Sequence, residues 1–261
     1  MDRFLQCYGP WAVVTGASSG LGRAFAQALA GRGLNLVLVA RRGDALRELA
    51  TSLPVETRVV AADLGTGDGL RAVERETAGL DAGLLVAAAG FGTSGPFIQG
   101  DLEAETAMLD VNARATLWQA HAFGRRFAER GHGGMILFGS LVGFQGTPFA
   151  AHYAATKAYV QTLGEALHVE LKPRGVDVLV CAPGPVRTGF EDAADMRMGA
   201  ALAPEAVVGP TLAALGRGQT VRPGWLTKAL GAGLAPVPRW GKVRIMGRVM
   251  GGMTAHQRPP A

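Results

Sequence analysis

Val13-Val14-Thr15-Gly16-Ala17-Ser18-Ser19-Gly20-Leu21-Gly22 is the stretch on which the reading of this chain turns. An apolar run from Trp11 to Val14 passes directly into three glycines, and a segment of helical composition, Gly22 to Arg32, begins at once. Glycine lets a strand turn tightly into a helix and lets backbone amides approach a pyrophosphate, whose charge the helix N-terminus favours. The spacing is Gly-x-x-x-Gly-x-Gly, not the Gly-x-Gly-x-x-Gly of other dinucleotide folds. A purely structural turn is the competing reading in a chain with 38 glycines, and the position between a first strand and a helix weighs against it.

Outward from that loop, apolar runs of strand length recur at Leu34 to Ala40, Thr57 to Ala62, Leu84 to Ala88, Met135 to Phe138 and Val176 to Cys181, with a short seventh around Thr220 to Arg222. They are continuous rather than alternating, as strands covered on both faces are. Segments of helical length lie between them, among them Asp44 to Leu53, Glu103 to Arg130 and Ala154 to Lys172. The alternation predicts an α/β fold, a Rossmann-type doubly wound parallel sheet with helices on both faces. Nothing splits residues 1–225, which are expected to form one catalytic domain. Residues 226–261 read as a basic amphipathic helical extension.

The composition is consistent with this. A chain of 261 residues that is 48% hydrophobic has material for a substantial core without staples. Two cysteines, Cys7 and Cys181, exclude a disulfide scaffold and a four-thiolate metal site. No metal is expected, since His121, His132, His168 and His256 lack ligand-like spacing. No basic-then-apolar leader precedes Trp11, so a cytoplasmic location is expected. The uncharged stretch from Gly131 to Thr156 is broken by glycines and polar residues and reads as strand plus loop, not a membrane span. The net charge of +5 resides in the tail: residues 206–261 carry eight basic side chains and no acidic one. With the basic residues confined there and no recognition motif beside them, no nucleic-acid role is expected.

The end of the second strand bears on cofactor choice. Where an NAD enzyme places an acidic residue for the ribose 2′-hydroxyl, this chain has Val39-Ala40-Arg41-Arg42. Guanidinium groups fork onto phosphate oxygens, which points to a 2′-phosphate and NADP(H), with Arg41 the stronger of the two. The alternative is that Arg41 and Arg42 only open a solvated helix, pairing with Asp44 and Glu48.

Tyr153 and Lys157 stand four apart on one helix face. A tyrosine of ordinary pKa is a poor acid–base at neutral pH unless a nearby cation supports its phenolate, which Lys157 can do. Ser140 follows the strand ending at Phe138, Asn112 lies mid-helix, and Pro183-Gly184 follows the sixth strand. Each is weak alone; the five in order are demanding. Together they resemble the short-chain dehydrogenase/reductase family, single-domain type, in its ketoacyl-reductase-like and hydroxysteroid-dehydrogenase-like branch, over roughly residues 10 to 225.

The resemblance implies a seven-stranded sheet and a carbonyl reductase or alcohol dehydrogenase. Tyr153 would exchange the proton with the substrate oxygen, and Lys157 would hold the nicotinamide ribose and lower the Tyr153 pKa. Ser140 would bond the substrate oxygen, and Asn112 would keep a water in the proton relay. By the same resemblance Gly16, Ser18, Ser19, Gly20, Leu21 and Gly22 would meet the phosphates, Asp63 and Leu64 would lie near the adenine, Thr188 would meet the nicotinamide carboxamide, and Gly90, Tyr153, Lys157, Pro183, Gly184 and Val186 would be further cofactor contacts. One departure is plain: the family's Asn-Asn-Ala-Gly reads Ala87-Ala88-Ala89-Gly90 here. A cost in stability or cofactor positioning is expected from it. A cofactor-binding redox sensor or interaction module without turnover is the alternative, supported only by Ala87 and Ala88.

Phe190, Met196, Met198 and Leu202 follow the Pro-Gly motif where the family places a substrate lid, and Phe91, Phe97, Phe144 and Phe149 are expected at the pocket mouth. These predict a hydrophobic ketone or aldehyde as substrate. His152 reads as a loop histidine with a satisfied hydrogen bond and Cys181 as packing. The tail is expected to cap the cleft, ahead of a subunit contact and ahead of peripheral contact with a membrane. A homodimer or homotetramer is implied, through Glu103 to Arg130 and Ala150 to Lys172.

Overall fold

Runs of valine, leucine and alanine with no polar break can be buried only from both sides, and this dictates the layering seen in the computed structural model, which describes residues 3–257. Helix α1 (Arg3–Tyr8) leads into β1 (Trp11–Thr15), α2 (Gly20–Ala30), β2 (Asn35–Ala40), α3 (Gly43–Ser52), β3 (Thr57–Ala61), α4 (Gly67–Thr77) and β4 (Ala82–Ala87). The second half runs α5 (Leu102–Leu109), α6 (Ala115–Arg130), β5 (Gly133–Phe138), α7 (Ala151–Leu171), β6 (Val176–Cys181), α8 (Phe190–Ala193), α9 (Glu205–Ala214), β7 (Thr220–Val221), α10 (Trp225–Leu234) and α11 (Arg239–Met253).

The seven strands form one parallel sheet in the order β3-β2-β1-β4-β5-β6-β7. Alternation along each strand feeds two cores: on β2, Leu36 and Leu38 pack with Phe25 and Leu29 on one face. Val37 and Val39 pack with Phe123 and Phe127 on the other. The chain winds outward from β1 to β3 and then returns to β4 on the other flank of β1. That reversal opens a crevice at the carboxyl ends of β1 and β4, where doubly wound sheets bind ligands.

The glycine loop fills this crevice edge at contact distance. Gly16 has φ +67°, and a Cβ there would lie 2.8 Å from the Ala88 carbonyl oxygen; one on Gly22 would lie 2.3 Å from that of Gly16. Both positions therefore demand glycine. Where the alanines stand at the end of β4, Thr15 bridges to it from β1: its hydroxyl donates to the Val86 carbonyl at 3.5 Å and accepts from the Ala89 amide at 3.3 Å.

Several boundaries differ from the sequence reading, each for a physical reason. β5 starts two residues early because bare Gly133 and Gly134 backbone pairs with Val176 and Asp177, where a Cβ would strike the rings of Phe127 and Tyr8. The expected single helix from Glu103 to Arg130 is divided into α5 and α6 by a wide π-turn over Asp110–Arg114, bracketed by an Asp110–Arg114 ion pair. The widened turn carries Asn112 inward, buried. α7 begins at Ala151, so His152 is helical rather than in a loop, and its Nε2 is buried without a hydrogen-bond partner among the described residues, contrary to the expected satisfied histidine. The stretch from Gly131 to Thr156 resolves into β5, a turn and the start of α7. Among the described residues no helix is long and apolar enough to cross a membrane. Of the 226–261 segment, residues 258–261 lie outside the described residues.

Candidate active site

Burial of a polar helix face against the end of β5 assembles the site. Tyr153 and Lys157 rise from the first turns of α7, and Ser140 opens the turn after β5. Lys157 is buried and donates from Nζ to the Phe138 carbonyl at 3.0 Å, with Nζ 5.7 Å from the Tyr153 ring centroid. Desolvation pulls its pKa down from the ordinary lysine value to about 8. Burial pushes Tyr153 up to about 12, and a hydrogen bond with Ser140 works in the opposite direction. Ser140 Oγ also accepts the Val142 amide at 3.4 Å.

Asn112 reaches the same place from the π-turn. Its Nδ2 donates to the Phe91 carbonyl at 2.8 Å and to Thr156 Oγ1 at 3.1 Å, and its Oδ1 accepts the Phe91 amide at 3.1 Å. Both amide donors are therefore engaged in tying the chain after β4 to α7. A Cβ on Gly90 would lie 2.9 Å from Asn112 Oδ1 and 3.5 Å from Lys157 Nζ, so bare backbone at Gly90 leaves the lysine head its space.

The glycine loop supplies the other wall. Ser19 precedes α2 in extended conformation and makes no side-chain cap, which leaves the first-turn amides of α2 without a side-chain acceptor. Thr188 lies against this loop, its Cβ 2.8 Å from where a Gly20 Cβ would stand. Thr188 Oγ1 donates to the Val186 carbonyl and accepts the Phe190 amide, both at 3.4 Å. The Pro183 carbonyl accepts the Leu141 amide at 3.0 Å, joining the turns after β5 and β6, and the Gly184 amide donates to Thr227 Oγ1 at 3.2 Å. Leu21 packs into the core beneath the loop.

Arg42 Nη2 reaches Ser18, 3.3 Å from Oγ and 3.4 Å from the carbonyl oxygen. Asp44 pairs instead with Arg47 and Glu48 with Arg23, so those two carboxylates do not occupy the arginines at the end of β2. Arg41 is exposed. Asp63 accepts the Gly65 amide at 2.9 Å within its own turn, and Leu64 is buried beside it. No carboxylate stands at the carboxyl end of β2.

Above Tyr153 an apolar cluster gathers Ala150, Ala194, Met196, Met246 and Met250, with Phe149, Phe190 and Met198 packed against it. Phe190 lies on the Tyr153 ring, 5.1 Å between centroids. Of the four phenylalanines expected at the pocket mouth only Phe149 joins this cluster; Phe97 is 60% exposed, and Phe144 lies under Arg222, 4.2 Å from its guanidinium carbon. Sequence reading overlooked Thr15, Thr156 and the Phe138 carbonyl. Thr15 and Thr156 sit inside the quoted motifs, but a carbonyl acceptor leaves no signal in side-chain identity.

The profile of the family described as short chain dehydrogenase matches residues 10–198. The chain belongs to the short-chain dehydrogenase family. Within it, a 7beta-hydroxysteroid dehydrogenase of Clostridium sardiniense is 37% identical over 185 residues, 69% of this chain and 71% of that protein. A solved 7beta-hydroxysteroid dehydrogenase superposes with a TM-score of 0.85 at 30% identity, covering 93% of this chain and 98% of that one. A short-chain dehydrogenase from Sphingobium yanoikuyae, solved in complex with NADPH, gives 0.79 at 30% identity, covering 88% and 96%. This member is an oxidoreductase of CH–OH groups that uses a nicotinamide dinucleotide.

Proposed function

We propose that the protein reduces a bulky hydrophobic ketone or aldehyde, or oxidises its alcohol, with NADP(H). The observation that carries the reading is the convergence of Tyr153, Ser140 and Lys157 after the carboxyl end of β5, in a fold whose glycine loop after β1 leaves α2 without a side-chain cap from Ser19. NADP(H) is favoured over NAD(H) by Arg41 and Arg42 and the absent carboxylate at the end of β2. The dinucleotide supplies the hydride. Ser140 and the Tyr153 hydroxyl hold the substrate oxygen, and Tyr153 passes its proton to that oxygen in reduction. The ammonium of Lys157, 5.7 Å from the Tyr153 ring centroid, would stabilise the phenolate left behind. Asn112 acts as a positioning residue, fixing Gly90 and Phe91 against α7.

The test is nicotinamide oxidation across a panel of hydrophobic ketones and aldehydes, with NADPH and NADH offered separately. Turnover confined to NADPH is the expected result; silence toward every ketone despite tight NADPH binding would overturn it in favour of a binding module.

The buried groups set the pH profile. Tyr153 stays protonated up to about 12, so the reductive direction is governed by Lys157, which is charged below about 8 and neutral above it. Reductive kcat/KM should therefore hold at low pH and fall as pH rises through about 8. A flat profile there would detach Lys157 from the proton step.

Residues 226–257 are assigned to a cap over the cleft, because Met246 and Met250 pack into the cluster that contacts Tyr153. Deleting residues 235–261 should raise KM for a bulky ketone about tenfold, the equivalent of one or two buried methylenes, while NADPH affinity stays within about twofold. Unchanged ketone kinetics would remove the cap. Subunit pairing through α6 and α7 is supported by exposed Leu117, Tyr159 and Val169 and by a groove of about 720 Å³ along α6 beside Trp118. A monomer mass in sedimentation equilibrium would exclude it.

A further inference from the structure

α11 is apolar on two sides. Its inner side buries Met246 and Met250, and Gly247 lets it approach Pro148, to which a Cβ would stand at 3.3 Å. A helix buried along one face needs only polar residues on the other. Here the outer side presents Trp240, Ile245 and Val249, 65%, 37% and 44% exposed. Arg244 and Arg248 stand between them, also exposed, with the Arg244 guanidinium 5.2 Å from the Trp240 ring. α10 repeats the pattern with exposed Trp225, Lys228 and Leu230.

The charge is of one sign. Residues 206–261 hold eight basic side chains and no carboxylate side chain, and among the described residues Arg244 and Arg248 form no ion pair. Among the described residues the same two arginines, with Gly247, Gly251 and Phe149, line a groove of about 590 Å³. A cationic groove bordered by exposed tryptophan and aliphatic side chains is the pattern of a helix lying in an interface, the aromatic rings at headgroup depth and the arginines on lipid phosphates.

We propose that the outer side of α10 and α11 docks the protein on an anionic bilayer surface. A second copy of this chain is the poorer occupant, because a two-fold contact would set this like-charged surface against itself. Nucleic acid would use the arginines but leave Trp240, Ile245 and Val249 without a hydrocarbon partner. The docking stands independently of the reaction proposed above.

The test is flotation of the full chain with vesicles of phosphatidylcholine, with and without phosphatidylglycerol. Binding should require phosphatidylglycerol, weaken with added salt and shift tryptophan emission to the blue. Arg244→Glu with Arg248→Glu should lower the partition coefficient about tenfold or more, Arg244→Lys with Arg248→Lys should largely keep it, and Trp240→Ser should lower it and remove most of the emission shift. Thermal melts of each variant separate lost docking from lost folding. No flotation with either vesicle, or equal flotation with both, overturns the proposal. Capture of a duplex oligonucleotide without vesicle binding overturns it in favour of a phosphate-backbone surface. A fall in sedimentation mass on Trp240→Ser, with no vesicle binding by the parent, overturns it in favour of a contact between copies.

Discussion

Tyr153→Phe is expected to lower turnover of any accepted ketone by about 10²–10⁴-fold, the range lost when a positioned proton donor is removed. The substitution deletes one oxygen and keeps the ring. The packing of Phe190 on that ring, 5.1 Å between centroids, is retained, and with it the contact between α8 and α7. Tyr153 meets its polar environment through Ser140, not through the glycine loop, so NADPH affinity should change by less than about twofold. Steady-state turnover, NADPH fluorescence titration and thermal melts on the same preparation separate these outcomes. A loss confined to kcat, with an unchanged melting temperature, assigns the proton to Tyr153. Residual turnover within a factor of ten of the parent would move the donor elsewhere, and a collapse of NADPH binding would make the tyrosine a cofactor ligand first.

The parts legible in the sequence are those fixed by repeated local physics. Continuous apolar runs identify strands buried on both faces, and the glycine loop marks the reversal point because few other residues survive a φ of +67° at Gly16 with a carbonyl 2.8 Å from the site of its Cβ. Tyr153 and Lys157 are visible because a helix puts positions four apart on one face. What stays hidden depends on distant partners. The π-turn at Asp110–Arg114 adds no residue type of its own, yet it turns Asn112 inward. β5 opens on two glycines that no strand propensity favours, and the reason lies in the rings of Phe127 and Tyr8. α4 is obscured by its composition, since only Leu70 and Val73 supply large buried apolar side chains. Thr15 bridges β1 to the end of β4, a contact visible only once the two strands are side by side.

Arg41→Ala with Arg42→Ala is expected to raise KM for NADPH about 10–100-fold and to leave that for NADH within about threefold, since charge-assisted bonds to a phosphate are each worth a factor of this order. The two arginines enter in different ways. Both side chains are exposed, but Arg42 is already hydrogen-bonded to Ser18 on the glycine loop, whereas Arg41 makes no hydrogen bond or ion pair among the described residues and gives up more conformational freedom on binding. If this pre-placement governs the cofactor choice, Arg42→Ala alone accounts for more than half of the logarithmic loss, which reverses the ranking drawn from the sequence. If Arg41→Ala carries it, the 2′-phosphate is gripped from outside the loop and the Ser18 contact is structural. A further change, Arg41→Asp, puts a carboxylate at the end of β2, the position at which NAD enzymes carry the acidic residue for the ribose 2′-hydroxyl, and should carry the NADPH-to-NADH preference past unity. Parallel titrations with both dinucleotides and with 2′-phosphorylated AMP isolate the phosphate contribution from the nicotinamide half. Equal losses for NADPH and NADH in the double variant would show that the arginines support the fold of the loop and not the recognition of a phosphate.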